Sequence, residues 1–202
     1  MDPDAIELRV LGCLMEKQRT TPDQYPLTLN ALRLACNQAT NRDPVVDYDE
    51  ETIRGAIARL RRRDWVRFAS GQGSRAAKYR HLADEALKLD RAEQAVLTVM
   101  LLRGPQTPGE LKGRTERMHP FGSLAEVEET IERLIERSYA ERVERRPGQK
   151  EDRFGHLLGG AHTTTASDAF VAPAVDSLEE RVARLEREVA ELRARYAASD
   201  SA

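Results

Sequence analysis

Ile6, Val10, Leu11 and Leu14 fall at helical spacing between Asp4 and Gln18 and predict a first helix. Thr20-Thr21-Pro22 ends it. A second helix is predicted from Pro26-Leu27-Thr28 to Cys36, carrying Leu29, Leu32, Leu34 and Ala35. Asn41-Arg42-Asp43-Pro44 predicts a loop, because the residue before proline avoids the α region, and Val45-Val46 fits a short strand. Asp49 is a good N-cap for a third helix, since its carboxylate can accept from the orphan N–H groups of the first turn. Ile53, Ile57 and Leu60 then supply an i, i+4, i+7 core stripe. Val66, Phe68 and Tyr79 alternate with Arg67, Lys78 and Arg80 around Ser70-Gly71-Gln72-Gly73-Ser74, which predicts a hairpin with one apolar and one basic face.

The pattern then repeats. Glu7-x-x-Val10-Leu11 with Lys17 and Thr21-Pro22 recurs as Glu93-x-x-Val96-Leu97 with Arg103 and Thr107-Pro108, at an offset of 86. Ile53, Ile57, Leu60 and Trp65 recur as Val127, Ile131, Leu134 and Tyr139 at 74, and Lys78–Leu82 as Arg153–Leu157 at 75. The changing offset places about a dozen extra residues of the first copy between its second and third helices. Trp65 and Tyr139 are expected to be equivalent core anchors, each closing the corner from third helix to hairpin. Two tandem copies of one small supersecondary unit are therefore the architecture to explain. Residues 1–88 form the first domain and 89–158 the second, followed by a Gly/Ala/Thr/Ser linker over 159–176 and a heptad helix over 177–197.

Three helices followed by a two-stranded hairpin is the winged-helix form of the helix-turn-helix, within a mainly helical α+β class. The residues also resemble one family. Leu14-Met15-Glu16-Lys17-Gln18 through Thr21-Pro22-x-x-Tyr25-Pro26-Leu27-x-x-Asn30, then Ala35-Cys36-Asn37-Gln38-x-x-Asn41-Arg42-x-Pro44-Val45, is similar to the YceH family of bacterial proteins. Leu101-Leu102-Arg103-Gly104-x-Gln106-Thr107-Pro108-Gly109-Glu110-Leu111 matches that family's second half. The resemblance covers nearly the whole chain. It implies a tandem winged-helix fold and no activity, substrate or catalytic residue.

Composition narrows the function classes. Charged residues make up 33% of the chain and mean hydropathy is -0.60. No apolar run approaches the roughly 18 to 20 residues that span a bilayer, and the acidic start Met1-Asp2-Pro3-Asp4 has no signal-peptide pattern. A cytoplasmic protein with no membrane partner is expected. Cys13 and Cys36 have no ligand-like spacing and are expected to be free buried thiols. The four histidines (His81, His119, His156, His162) form no metal motif. Gly71-x-Gly73 sits in a hairpin turn rather than between strand and helix, so it is no dinucleotide fingerprint. No nucleophile–base pattern is seen, so neither catalytic residues nor a cofactor is expected.

Charge is distributed unevenly. Residues 1–88 carry net +2, 89–160 net -1 and 161–202 net -3. Within 54–80, nine basic residues face Asp64 alone. Arg54, Arg61 and Arg62 lie off the apolar stripe, on the exposed face of the helix that a winged helix inserts in the major groove. Arg75, Lys78 and Arg80 on the wing, with Arg42 before the third helix, would neutralise phosphates. Asn37, Gln38, Thr40 and Asn41 could read bases but more simply stabilise a turn. In the second copy Arg54, Ala58 and Arg62 become Glu128, Glu132 and Glu136, which would repel phosphate. That copy is expected to pack or to contact partners rather than read bases.

Leu178, Val182, Leu185, Val189, Leu192 and Tyr196 are spaced 4, 3, 4, 3, 4, with valine at a and leucine at d. This favours a parallel two-stranded coiled coil, and Arg181 with Glu186 and Glu188 with Arg193 pair across such a dimer. The competing arrangement folds the stripe back on the winged helices. The sequence thus points to a homodimeric, non-enzymatic protein that binds double-stranded DNA, a transcriptional regulator or nucleoid-associated factor. A protein–protein scaffold is the alternative, because winged helices also serve as interaction modules.

Overall fold

Helix caps set the register of the duplication. In α1 (Ala5–Thr20), Asp4 accepts from the Glu7 N–H at 2.8 Å while the Glu7 carboxylate accepts from the Asp4 N–H at 3.1 Å. In α5 (Arg91–Arg103), Asp90 and Glu93 exchange the same two bonds at 2.8 and 3.0 Å. The computed structural model describes residues 2–69, 77–143 and 151–159. Outside the described residues lie Arg75, both hairpin turns, and residues 160–202 with the linker and the heptad positions Leu178 to Tyr196.

The first copy continues through β1 (Leu27–Thr28), α2 (Leu29–Cys36), α3 (Glu50–Arg62), β2 (Val66–Phe68) and β3 (Lys78–His81). A short α4 (Ala83–Ala86) leads to the second copy, which adds α6 (Pro108–Thr115), α7 (Leu124–Glu136), β4 (Ala140–Val143) and β5 (Arg153–His156) to α5. The described residues thus form an α+β fold of seven α-helices and two small antiparallel sheets. In the first sheet, ordered β1-β3-β2, Tyr79 pairs with both Leu27 and Phe68. In the second, β4 pairs with β5, and Gln106 makes a single bridge to Phe154 where β1 stands in the first.

That bridge corrects the alignment of the copies. Thr107, which caps α6, is the counterpart of Thr28, which caps α2, at an offset of 79 rather than 86. Thr21-Pro22 therefore has no partner in the second copy. It opens a seven-residue insertion containing a 3-10 turn (Pro22–Gln24), because its proline sits at a helix start like Pro108 but leads only one turn. The extra residues of the first copy divide between this insertion and the longer loop before α3. The second helix begins at Leu29, since Leu27 and Thr28 are taken up by β1. Val45-Val46 forms no strand; Val45 is exposed and finds no sheet edge.

The corners after α3 and α7 are alike in detail. Trp65 N–H reaches the Leu60 carbonyl at 3.0 Å and Asp64 N–H the Arg61 carbonyl at 3.1 Å; Tyr139 and Ser138 repeat this with Leu134 and Ile135 at 2.8 and 2.9 Å. These are Schellman closures, with Asp64 and Ser138 in the left-handed region at φ 58° and 57°. Trp65 and Tyr139 are equivalent, as expected, but each is half-buried at the edge of the core rather than sealed inside it.

The two copies share one core. α1 is buried almost continuously from Glu7 to Met15 and α5 from Glu93 to Leu102. A helix buried on all sides needs neighbours on all sides: one face of each meets its own α3 or α7, and another meets the other copy's first helix. Gly12 permits the close approach, because a Cβ there would stand 3.0 Å from Leu102 Cδ2 and 3.1 Å from Leu101 Cβ. The described residues accordingly form a single compact unit.

A polar seam crosses the same interface. His81, with its side chain fully buried, bonds Gln18 Oε1 through Nε2 at 2.8 Å, while its Nδ1 accepts from the Ala83 N–H at 3.3 Å. The ring is therefore neutral with its proton on Nε2. Gln94 of α5 donates to Gln18 at 3.2 Å and accepts from Arg19 at 2.9 Å.

Gly12→Leu should lower stability by about 2–3 kcal/mol, since the added atoms overpack the α1–α5 contact, as read by urea denaturation. Burial holds the His81 pKa down at about 4, with Asp84 opposing and Arg80 and Arg19 assisting. The unfolded chain takes up a proton near pH 6.5 and the folded chain does not. Stability is therefore fully present above pH 6.5 and declines from there toward pH 4, by at most about 1.4 kcal/mol per pH unit from this group. His81→Gln, which retains a donor toward Gln18, should lose that component when unfolding free energies at pH 7 and pH 5 are compared with wild type.

Candidate nucleic-acid interface

α3 is amphipathic by construction. Ile53, Ala56, Ile57 and Leu60 are buried, and Arg54, Ala58, Arg61 and Arg62 are exposed on the opposite side. Two further arginines on its flank are spoken for. Arg59 donates to Glu7 at 3.1 Å and to Asp4 at 2.7 Å, and Arg63 donates to Glu7 at 3.3 Å. Glu7 is 2% exposed; a carboxylate so buried needs charged partners, and the arginines supply them. The dense positive count of 54–80 thus overstates the free charge.

The outward arginines are less constrained. Arg54 lies 4.0 Å from Glu50, one turn back, with both side chains largely in solvent. Arg61 stacks over the Phe68 ring at 3.9 Å. Arg62 is exposed and makes no ion pair among the described residues. On the hairpin, Arg67 is exposed and sits opposite Arg80 in register. Arg80 relieves that like-charge pairing by bonding Glu85 at 2.9 Å. Lys78 is half-buried.

Phe68 departs from the expected pattern. It occupies the apolar face of the hairpin, yet it is 44% exposed, with its ring 5.2 Å from Tyr79 on one side and Arg61 on another. It is a platform that holds Arg61 in place. The sequence alternation places it on the apolar face of the hairpin, and that pattern gives the face of a strand, not how far the underlying helices extend.

Arg42 is a correction. Its side chain is fully buried, bonded to Glu16 at 2.6 and 3.1 Å, to Gln38 at 2.9 Å and to the Ala35 and Asn41 carbonyls at 3.0 and 2.7 Å. It ties the loop before α3 to α1 and has nothing left for a phosphate. The neighbouring polar cluster is structural too. Asn37 exchanges bonds with the Tyr48 N–H and carbonyl at 2.9 and 2.8 Å, pinning the two ends of the loop, and Asn41 accepts from Arg103 of α5. Thr40 is exposed.

The second copy carries the opposite charge on the equivalent surface. Arg133 and Arg137 clamp Glu93 as Arg59 and Arg63 clamp Glu7, at 3.7 and 2.9 Å. The outward residues of α7 are Glu128, Glu129, Glu132 and Glu136, all exposed and without an ion pair among the described residues. They border a groove of about 980 Å³ floored by the buried Ile131 and Phe154, with Leu124 at its rim. Cys13 and Cys36 are buried free thiols. Among the described residues, no three His, Cys, Asp or Glu side chains converge as a metal site, and no helix is long and apolar enough to cross a membrane.

Arg42→Met should cost about 3 kcal/mol in thermal or chemical unfolding, because the largely buried Glu16 loses its closest partner and keeps only Lys17 at 3.5 Å. The double change Arg42→Met with Glu16→Met should recover most of it.

Comparison with known proteins places this chain. A family model described as "Protein of unknown function, DUF480" matches residues 4–149. A UPF0502 protein of Solibacter usitatus is 49% identical over 194 residues, covering 94% of this chain and 92% of its own. The UPF0502 protein YceH of Escherichia fergusonii is 46% identical over 199 residues, covering 95% and 93%. An Enterobacter UPF0502 protein is 46% identical over 200 residues, also covering 95% and 93%. With its duplicated caps, shared core and full-length likeness to these relatives, the chain belongs to the YceH (UPF0502) family.

Proposed function

We propose that each copy is a winged helix, and that the first contacts double-stranded DNA through the exposed face of α3 and the hairpin that follows. The observation that carries this reading is the row Arg54, Arg61 and Arg62. These side chains point away from the core while the neighbouring Arg59 and Arg63 are consumed by the α1 cap. Arginine at such positions bonds guanine O6 and N7 in the major groove, and Arg67, Lys78, Arg80 and Arg75 supply the backbone contacts that position it. Arg61 is held in advance by Phe68, so ordering it on DNA costs less side-chain entropy.

The second copy supports and orients the first without reading bases, since its glutamates occupy the same helix face. Dimerisation through the heptad tail would present two basic helices to one duplex, as a transcriptional regulator or nucleoid-associated factor requires.

Fluorescence anisotropy with labelled duplex at two salt concentrations tests this. Wild type should bind at about 50 mM salt with an affinity that falls steeply as salt rises. The triple change Arg54→Glu, Arg61→Glu and Arg62→Glu should abolish binding with the melting temperature little altered. Arg67→Ala or Lys78→Ala should each reduce the salt slope by about one. Full-length protein that ignores duplex at low salt would leave the scaffold as the correct reading.

A further inference from the structure

The groove on the second copy carries four exposed glutamates along α7, closed on the hairpin side by Glu151 and Asp152, with Asp152 held by Arg142 at 2.9 Å. Its floor is apolar, and Leu124 at its rim is 45% exposed. Arg133 also lines the groove, but its guanidinium is paired with Asp90 and Glu93. Acid walls over an apolar floor suit a basic helix face, and one such face is present in the same chain. Arg54 and Arg62 are spaced as Glu128 and Glu136 are, eight residues apart on helices of equal length, because both stripes descend from one ancestral helix. At 1.5 Å per residue each charged stripe runs about 12 Å.

We propose that the acidic groove of one molecule receives the basic α3 face of a second copy, giving charge-matched self-association between unlike surfaces. Such an interface is heterologous: a pair leaves the basic face of one molecule and the groove of the other free, so association continues head to tail unless it closes into a ring. It arises between exposed charges and is therefore weak and screened by salt. It uses the arginines assigned to DNA but needs no DNA to form, and duplex would compete for them.

Sedimentation velocity of the full chain without DNA tests it, followed over about 1–200 µM at roughly 50 and 500 mM salt, where screening differs severalfold. Any dimer held by the heptad tail would give a baseline common to all variants. The groove contact is read as a concentration-dependent rise above that baseline, present at low salt and lost at high salt. Arg54→Glu, Arg61→Glu and Arg62→Glu together should abolish the rise, as should Glu128→Lys, Glu132→Lys and Glu136→Lys together. Combining all six changes should restore it, and so should an equal mixture of the two triple variants, which guards against a folding defect in either. Absence of the rise in wild type, its survival in either triple variant, or failure of both the six-fold variant and the mixture would overturn the proposal. Because DNA is left out, these outcomes are independent of whether the arginine row binds duplex.

Discussion

A buried carboxylate at the start of each copy's first helix organises the rest. Glu7 and Glu93 close their capping boxes, and each is left with charge that solvent cannot reach. Burial of an unpaired carboxylate costs several kcal/mol, so two arginines one turn apart on the third helix are drawn in to face it. That demand fixes the rotation of α3 and α7 about their axes. With Arg59 and Arg63 turned inward, Arg54, Arg61 and Arg62 must face out; with Arg133 and Arg137 turned inward, Glu128, Glu132 and Glu136 must do so. The polarity of both outer faces follows from one repeated interaction inside.

The copies therefore agree wherever the inside is concerned and differ wherever solvent is. Caps, corners and strand-end histidines recur at fixed offsets, down to the left-handed Asp64 and Ser138. The helix faces invert in sign. The connections also differ: the first copy has room for β1 and for a long loop fastened by Arg42 and Asn37, whereas the second makes do with a single bridge at Gln106.

Most of the fold was legible in the sequence because periodicity and caps are local signals. Asp49 marked the start of the third helix, and the Ile53/Ile57/Leu60 stripe oriented α3 correctly. What escaped was decided by distant partners. Thr21-Pro22 and Thr107-Pro108 look alike, but only backbone pairing with β3 reveals Thr28 as the true counterpart of Thr107. Arg42 reads as a phosphate ligand until Glu16, 26 residues away, is seen to hold it. Phe68 reads as part of the hairpin's apolar face, but its exposure depends on where the underlying helix ends. Of the candidate site, the outward arginines were recoverable from spacing alone, while the division between free and committed arginines needed the fold.

The close seating of α1 on α5 over Gly12 has an evolutionary consequence. Neither copy owns a complete interior, so neither can be discarded or exchanged without exposing the other's central helix. Selection on the second copy is thereby split between two layers. Its buried positions are constrained by packing as those of the first are, because they finish the first copy's core. Its surface carries no such obligation and was free to change sign. Duplication here left one copy as a permanent half of its sibling's foundation, with an outer face open to acquire a different use.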